Sequence, residues 1–189
     1  MSTLVVFFGG YQATQSDMDM WMQNARGQRP DVEFNAFRWP RGASSDAKGA
    51  LSGSHSTGQF KAAIAAIQAS TADTIYIVGH SSGCAIANAV DKALDDTSNI
   101  SLIALDGFSP DASQLQRSTT QAWGARCGNI MSMNFPYRAG ARQRVFETPD
   151  CKTKWALHFS VVNMAAMDSL IKSVATGYAQ CRSNLEFLL

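Results

Sequence analysis

Short apolar runs rich in β-branched and aromatic residues alternate along the chain with segments whose apolar residues recur every three or four positions. Leu4–Phe8 reads as a buried strand closed by Gly9-Gly10. Ser16 then caps a helix, with Asp19 as its capping-box partner. Met18, Trp21, Met22 and Ala25 share one face of that helix, which ends at Gly27 and Pro30. This methionine-aromatic stripe reads as core packing in preference to a substrate groove. Val32–Trp39 is a second strand, stopped by Pro40, and a Gly/Ser-rich loop from Arg41 to about Ser56 follows. Phe60, Ala63, Ile64 and Ile67 define an amphipathic helix, and Thr74–Val78 the next strand. An Ala-rich helix from Cys84 runs to about Asp95, and Ile100–Leu105 is another strand. Beyond it the spacing predicts a helix near Gln114–Trp123, a fifth strand at Asn129–Phe135 and a short extra strand at Arg144–Glu147. Val161, Met164, Met167 or Asp168, Ile171 and Val174 mark a last helix.

Strands alternating with helices predict an α/β fold: a three-layer α/β/α sandwich on a mostly parallel sheet of about five to six strands. No repeat and no linker long enough to split the chain occurs, so residues 1–189 are expected to form a single domain. Right-handed crossovers place the strand ends and their loops along one rim, where chemistry collects.

Composition narrows the partners. With 46% hydrophobic and 16% charged residues, disorder is not expected, and a net charge of +1 argues against a nucleic-acid surface. Arg138, Arg142, Arg144, Lys152 and Lys154 form a local basic stretch. It reads first as a solvated loop face, and second as an attractor for an anionic substrate or membrane. No apolar run has transmembrane length, and the start at Met1-Ser2-Thr3 lacks a basic signal-peptide segment. The expectation is a cytoplasmic protein, the alternative one exported without a classical signal. Cys84 and Cys181 sit in helical patterns, and a Cys127–Cys151 bridge would fit life outside the cytosol. No Cys/His spacing indicates zinc, and neither a metal nor a cofactor is expected.

The chemistry starts at Gly79-His80-Ser81-Ser82-Gly83, a Gly-x-Ser-x-Gly between the Thr74–Val78 strand and the Ala-rich helix. A strand, this turn and a helix in that order make a nucleophile elbow, with Ser81 as nucleophile. The competing reading is a glycine-rich strand-to-helix turn without chemistry. A serine hydroxyl needs a base, and the base a third group to orient it. Of three histidines, His80 should project away from Ser81, and His55 lies in the Gly/Ser-rich loop. His158, just before the last helix, is placed to reach back over the rim as base. Asp106, at the end of an apolar strand and followed by Gly107, is the preferred orienting acid; Asp150 is the second choice. Asn134, at the end of the next strand, carries no charge and leaves that position vacant. For an oxyanion hole, the Ser82 backbone N–H supplies one donor and Gly10 or Tyr11, in the loop after the first strand, the other.

These residues resemble the α/β-hydrolase family. The resemblance rests on the Phe7-Phe8-Gly9-Gly10 loop, the Gly79–Gly83 elbow, and the order Ser81, Asp106, His158. Leu105-Asp106-Gly107-Phe108-Ser109-Pro110 is similar to the Leu-Asp-Pro segment of pancreatic-type lipases, whose acid follows the strand after the nucleophile. The family's two leading antiparallel strands and a large lid are missing. The resemblance therefore implies a trimmed, minimal core like that of cutinase-like esterases, with an open site.

The expected activity is a serine hydrolase acting on a carboxylic ester or thioester, with a small-molecule ester or lipid as substrate. Tyr11, Trp39, Phe108 and Trp123 are candidates to line an acyl pocket. The alternatives are a non-catalytic binding module of the same fold and an exported phospholipase or effector hydrolase.

Overall fold

The computed structural model describes residues 1–94, 98–107, 121–132, 134, 142–149, 153–163, 174–180 and 183–188, with backbone alone for 47, 54–57 and 174–176. The elements run β1 (Thr3–Phe8), α1 (Gln15–Gln28), β2 (Val32–Phe37), α2 (Ala47–Thr57), α3 (Gln59–Ala69), β3 (Thr74–His80) and α4 (Gly83–Lys92). They continue with β4 (Ile100–Leu105), β5 (Gln121–Cys127), β6 (Ile130–Met131), β7 (Arg142–Glu147), α5 (Lys154–Asn163) and α6 (Val174–Gln180). A 3₁₀ turn, Glu186–Leu188, follows.

The strands make one mostly parallel, seven-stranded α/β sheet in the order β2-β1-β3-β4-β5, with β6 and β7 both on β5. Among the described residues only the short β5–β6 pairing is antiparallel. The central strands are buried on both faces, which is why Leu4–Phe8 reads as a continuous apolar run. From β1 the chain moves outward to β2, then returns to build β3, β4 and β5 on the other side. The strand order thus reverses between β1 and β3, and the loops leaving their carboxyl ends open a crevice there. Phe8 lies level with Gly79, and His80 with Leu105. The Gly9–Tyr11 loop, Ser81 and Asp106 therefore leave neighbouring strands at one height.

One cluster of buried apolar side chains runs from Leu4 to Phe187. Trp21 of α1 stacks on Phe7 of β1 with ring centroids 4.2 Å apart and meets Phe34 of β2 edge-on at 5.9 Å. The α1 stripe is core, as its spacing predicts: Met18, Trp21 and Ala25 are buried. Among the described residues no helix is long and apolar enough to cross a membrane.

Four local expectations are corrected. α1 is capped two residues earlier, by Thr14 with Asp17 closing the capping box. The two Ser/Thr-x-x-Asp patterns are equivalent in sequence. Ala13, buried and bonded through its carbonyl to the Trp39 N–H at 2.9 Å, fixes the chain just ahead of Thr14. The Gly/Ser-rich loop contains α2, started by Asp46, whose carboxylate accepts from the Gly49 N–H at 2.7 Å. Its glycines weaken helix propensity but let it lie close on the 40–44 turn, where a Cβ on Gly53 would press on Ala43. The fifth parallel strand is 121–127, not 129–135, whose described residues hold the two-residue β6 and a turn. Small residues in β5, with Ala122 and Ala125 fully buried, make room for α5 against it, and this packing outweighs their weak strand propensity. The helix expected from Val161 onward begins earlier, as α5 at Lys154, so His158 sits inside it rather than before it; residues 164–173 of that expected helix lie outside the described residues. Of the helix expected near Gln114–Trp123, residues 121–123 are instead the start of β5, and residues 108–120 lie outside the described residues, as do Arg138, Asp150, Cys151, Lys152, Asp168 and Cys181.

Candidate active site

Ser81 holds a left-handed backbone, φ +54°, between the end of β3 and the start of α4. A non-glycine residue there stores about 1–2 kcal/mol of strain. Two main-chain bonds fix it: Ser81 N–H donates to Leu105 C=O at 3.0 Å, and Cys84 N–H to Ser81 C=O at 3.1 Å. The flanking glycines answer to close approach. A Cβ on Gly79 would lie 2.6 Å from Cys84 Cα, and one on Gly83 would meet the Phe8 and Gly9 carbonyls. These contacts hold the turn tight and carry the Ser81 side chain to the rim.

Asp106 also has a positive φ, +42°, immediately beyond β4. Its side chain is buried and takes three donors. His158 Nδ1–H donates to Oδ2; Ser132 Oγ–H and the Asn134 N–H donate to Oδ1 at 2.9 and 3.0 Å. Asn134 Nδ2 in turn donates to the Asp106 carbonyl at 2.9 Å. The vacant position in the sequence reading is thus a support for the acid next door. Ser132 had no signal in the sequence, because its contact depends on the β5–β6 turn. With Nδ1 protonated against Asp106, neutral His158 keeps its lone pair on Nε2. His158 and Ser81 line the same cavity; among the described residues nothing yet bonds the Ser81 hydroxyl.

His80, fully buried, does point away from Ser81, and it joins a chain of hydrogen bonds. One ring nitrogen, Nε2, lies 3.0 Å from the His158 carbonyl, which only accepts, so Nε2 carries the proton. Nδ1 then accepts from the Tyr178 hydroxyl at 2.7 Å, and that oxygen accepts from the Gly10 N–H at 2.5 Å. The backbones of the base and of the β1 loop are linked through one neutral imidazole. Burial, and then the neighbouring His158, hold His80 well below its ordinary value of 6.5. In the unfolded chain His80 titrates normally, so as pH falls below about 6.5 the unfolded state takes up a proton that the folded state refuses. Stability contributed by this group is therefore complete above that pH and lost below it, by up to about 1.4 kcal/mol per pH unit. His80→Gln should flatten the fall in urea midpoint between pH 6.5 and 5; an unchanged slope would place the loss elsewhere.

The cavity has a volume of about 260 Å³ and aromatic walls from Tyr11, Trp155, Phe159 and Tyr178, with Asp46 at its edge. Of the expected acyl-pocket residues that are described, only Tyr11 lines it; Phe108 lies outside the described residues. Trp39 is buried edge-on against Tyr11 at 5.9 Å and faces a neighbouring groove with Arg38 and Arg41. Trp123 is buried, with the Arg144 guanidinium 5.1 Å above its ring. Trp155, Phe159 and Tyr178 carry no sequence signal for this place, because α5 starts ahead of the spacing that predicts it and α6 has no strong periodicity. His55 falls in α2, with its side chain outside the described residues.

Two of the three expected oxyanion donors, the Gly10 and Tyr11 amides, are engaged by side chains. The Gly10 N–H is taken by Tyr178, and the Tyr11 N–H donates to Ser82 Oγ at 3.0 Å. The Ser82 N–H, at the start of α4, has no acceptor among the described residues. Among those residues no group of three or more His, Cys, Asp or Glu side chains could hold a metal ion. No model of a known protein family matches this chain, and no curated protein matches it either.

Proposed function

We propose that the protein is a serine hydrolase of α/β-hydrolase type that cleaves a carboxylic ester or thioester. The observation that carries this reading is the orientation of His158 by Asp106 beside the Ser81 elbow at one cavity. Ser81 Oγ attacks the acyl carbon while His158 Nε2 takes its proton. The tetrahedral intermediate collapses, and the leaving alcohol or thiol receives that proton from His158. Water, deprotonated by the same nitrogen, then cleaves the acyl-enzyme, releasing the acid and restoring Ser81. The buried carboxylate keeps the imidazole in the required tautomer and stabilises the imidazolium that forms.

The reading includes a three-layer sandwich. Right-handed crossovers from β1 to β2 and from β3 to β4 run in opposite directions, which puts α1 and α4 on opposite faces of the sheet. A binding module without catalysis would have no use for an acid aimed at the histidine, so the Asp106–His158 bond favours the catalytic alternative.

The cavity walls suit an apolar acyl chain. Each buried methylene contributes about 0.8 kcal/mol, so kcat/KM over p-nitrophenyl esters should rise roughly fourfold per added CH₂ until the cavity is full. The direct test is a fluorophosphonate probe with peptide mapping. Modification at Ser81 is expected; a protein left unlabelled by the probe is not a serine hydrolase.

A further inference from the structure

The position of the Ser82 hydroxyl bears on what stabilises the charge that Ser81 chemistry would create. Ser82 stands where a serine would ordinarily turn its hydroxyl onto the first turn of the helix behind it, yet it makes no such capping bond to α4. The side chain, 3% exposed, turns to the cavity instead and accepts the Tyr11 N–H at 3.0 Å. A hydroxyl that accepts in this way still has its own proton to donate. Among the described residues no acceptor takes it. The surroundings of Gly10 place this group beside the nucleophile. A Cβ built on Gly10 would lie 2.8 Å from Ser81 Cβ, so the Gly10–Tyr11 segment runs directly past Ser81.

We propose that the Ser82 hydroxyl is a catalytic donor of the oxyanion hole, acting beside the Ser82 backbone N–H, with the Tyr11 N–H serving to hold and polarise it. The proposal rests on the serine-hydrolase reading above. It assigns the Tyr11 amide, expected to face the oxyanion itself, to the layer behind. When Ser81 adds to the acyl carbon, the carbonyl oxygen becomes an oxyanion; Ser82 would then offer it two donors, O–H and N–H, from one residue. The O–H is strengthened because its oxygen is already engaged as an acceptor. No proton is transferred at this atom: the hydrogen bond forms as charge develops and relaxes when the intermediate collapses.

The test is Ser82→Ala, assayed on the best p-nitrophenyl ester alongside Ser82→Thr. Loss of an oxyanion donor should lower kcat by about 10²–10³-fold with KM little changed, and Ser82→Thr, which keeps the hydroxyl, should recover most of it. Fluorophosphonate should still label Ser81 in Ser82→Ala, more slowly. The competing arrangement predicts the reverse: Ser82→Ala frees the Tyr11 N–H, and if that amide is the true donor, kcat is unchanged or rises. That result overturns the proposal and leaves the hydrolase reading standing. Absence of labelling in the unsubstituted protein overturns both.

Discussion

Ser81→Gly is expected to remove ester turnover while leaving the fold intact. Without the hydroxyl no acyl-enzyme forms, and turnover should fall by on the order of 10³-fold or more, to what the remaining site achieves with water. The stability side follows from the backbone. At φ +54°, glycine releases the strain that serine bears, about 1–2 kcal/mol, against roughly 0.5–1 kcal/mol of extra freedom gained by the unfolded chain. The net change in unfolding free energy should lie between zero and about 1.5 kcal/mol on the stabilising side. Ser81→Ala should be as inactive but keep the strain, so it should unfold at slightly lower denaturant than Ser81→Gly. Steady-state ester hydrolysis and urea unfolding of the two variants check both halves. Wild-type turnover in either variant would remove Ser81 from the chemistry.

Asp106→Asn should leave the fold standing and still cost activity on the order of 10³–10⁴-fold. An asparagine can keep its Oδ1 as acceptor for Ser132 Oγ–H and the Asn134 N–H, so the surrounding bonds survive. Its amide nitrogen then faces His158 Nδ1 as a donor. The imidazole must accept there and carry its proton on Nε2, which disables it as a base towards Ser81. Asp106→Ala should differ in kind. It strips the acceptor from all three donors and should cost about 1–3 kcal/mol of stability as well as activity. An Asp106→Asn variant within tenfold of wild type would mean that another group orients His158.

The elbow was legible because its strand, turn and helix are consecutive in the chain. Gly79 is demanded by contact with Cys84 within that unit, Gly83 by the Phe8 and Gly9 carbonyls of the neighbouring β1 end, and the β-branched run before them announces the strand. Ser81, Asp106 and His158 could be named because topology carries three strand and helix ends to one rim. What surrounds them was not legible, since it depends on side chains far apart in sequence. Ser132 and Asn134 support Asp106 from beyond β5, a strand that lies several residues ahead of the apolar pattern that predicts it. Tyr178 reaches Gly10 from a helix with no strong periodic signal. Small residues misled twice: α2 is Gly/Ser-rich and β5 is Ala/Gly-rich, and each forms because close packing outweighs weak intrinsic preference. Hydrophobic pattern locates large side chains well, and says little where a fold needs small ones.

The bond between Gly10 and Tyr178 spans 168 positions of a 189-residue chain. Bringing two such distant points together costs more conformational entropy than any hairpin or βαβ unit in the sheet, by about 0.6 kcal/mol for each doubling of the loop. In kinetic terms, the candidate cavity is therefore expected to be among the last regions to knit together as the molecule folds and among the first to come apart under stress. The parallel sheet can be in place while the cavity is still open, which makes the integrity of the site a stricter standard of completed folding than secondary structure.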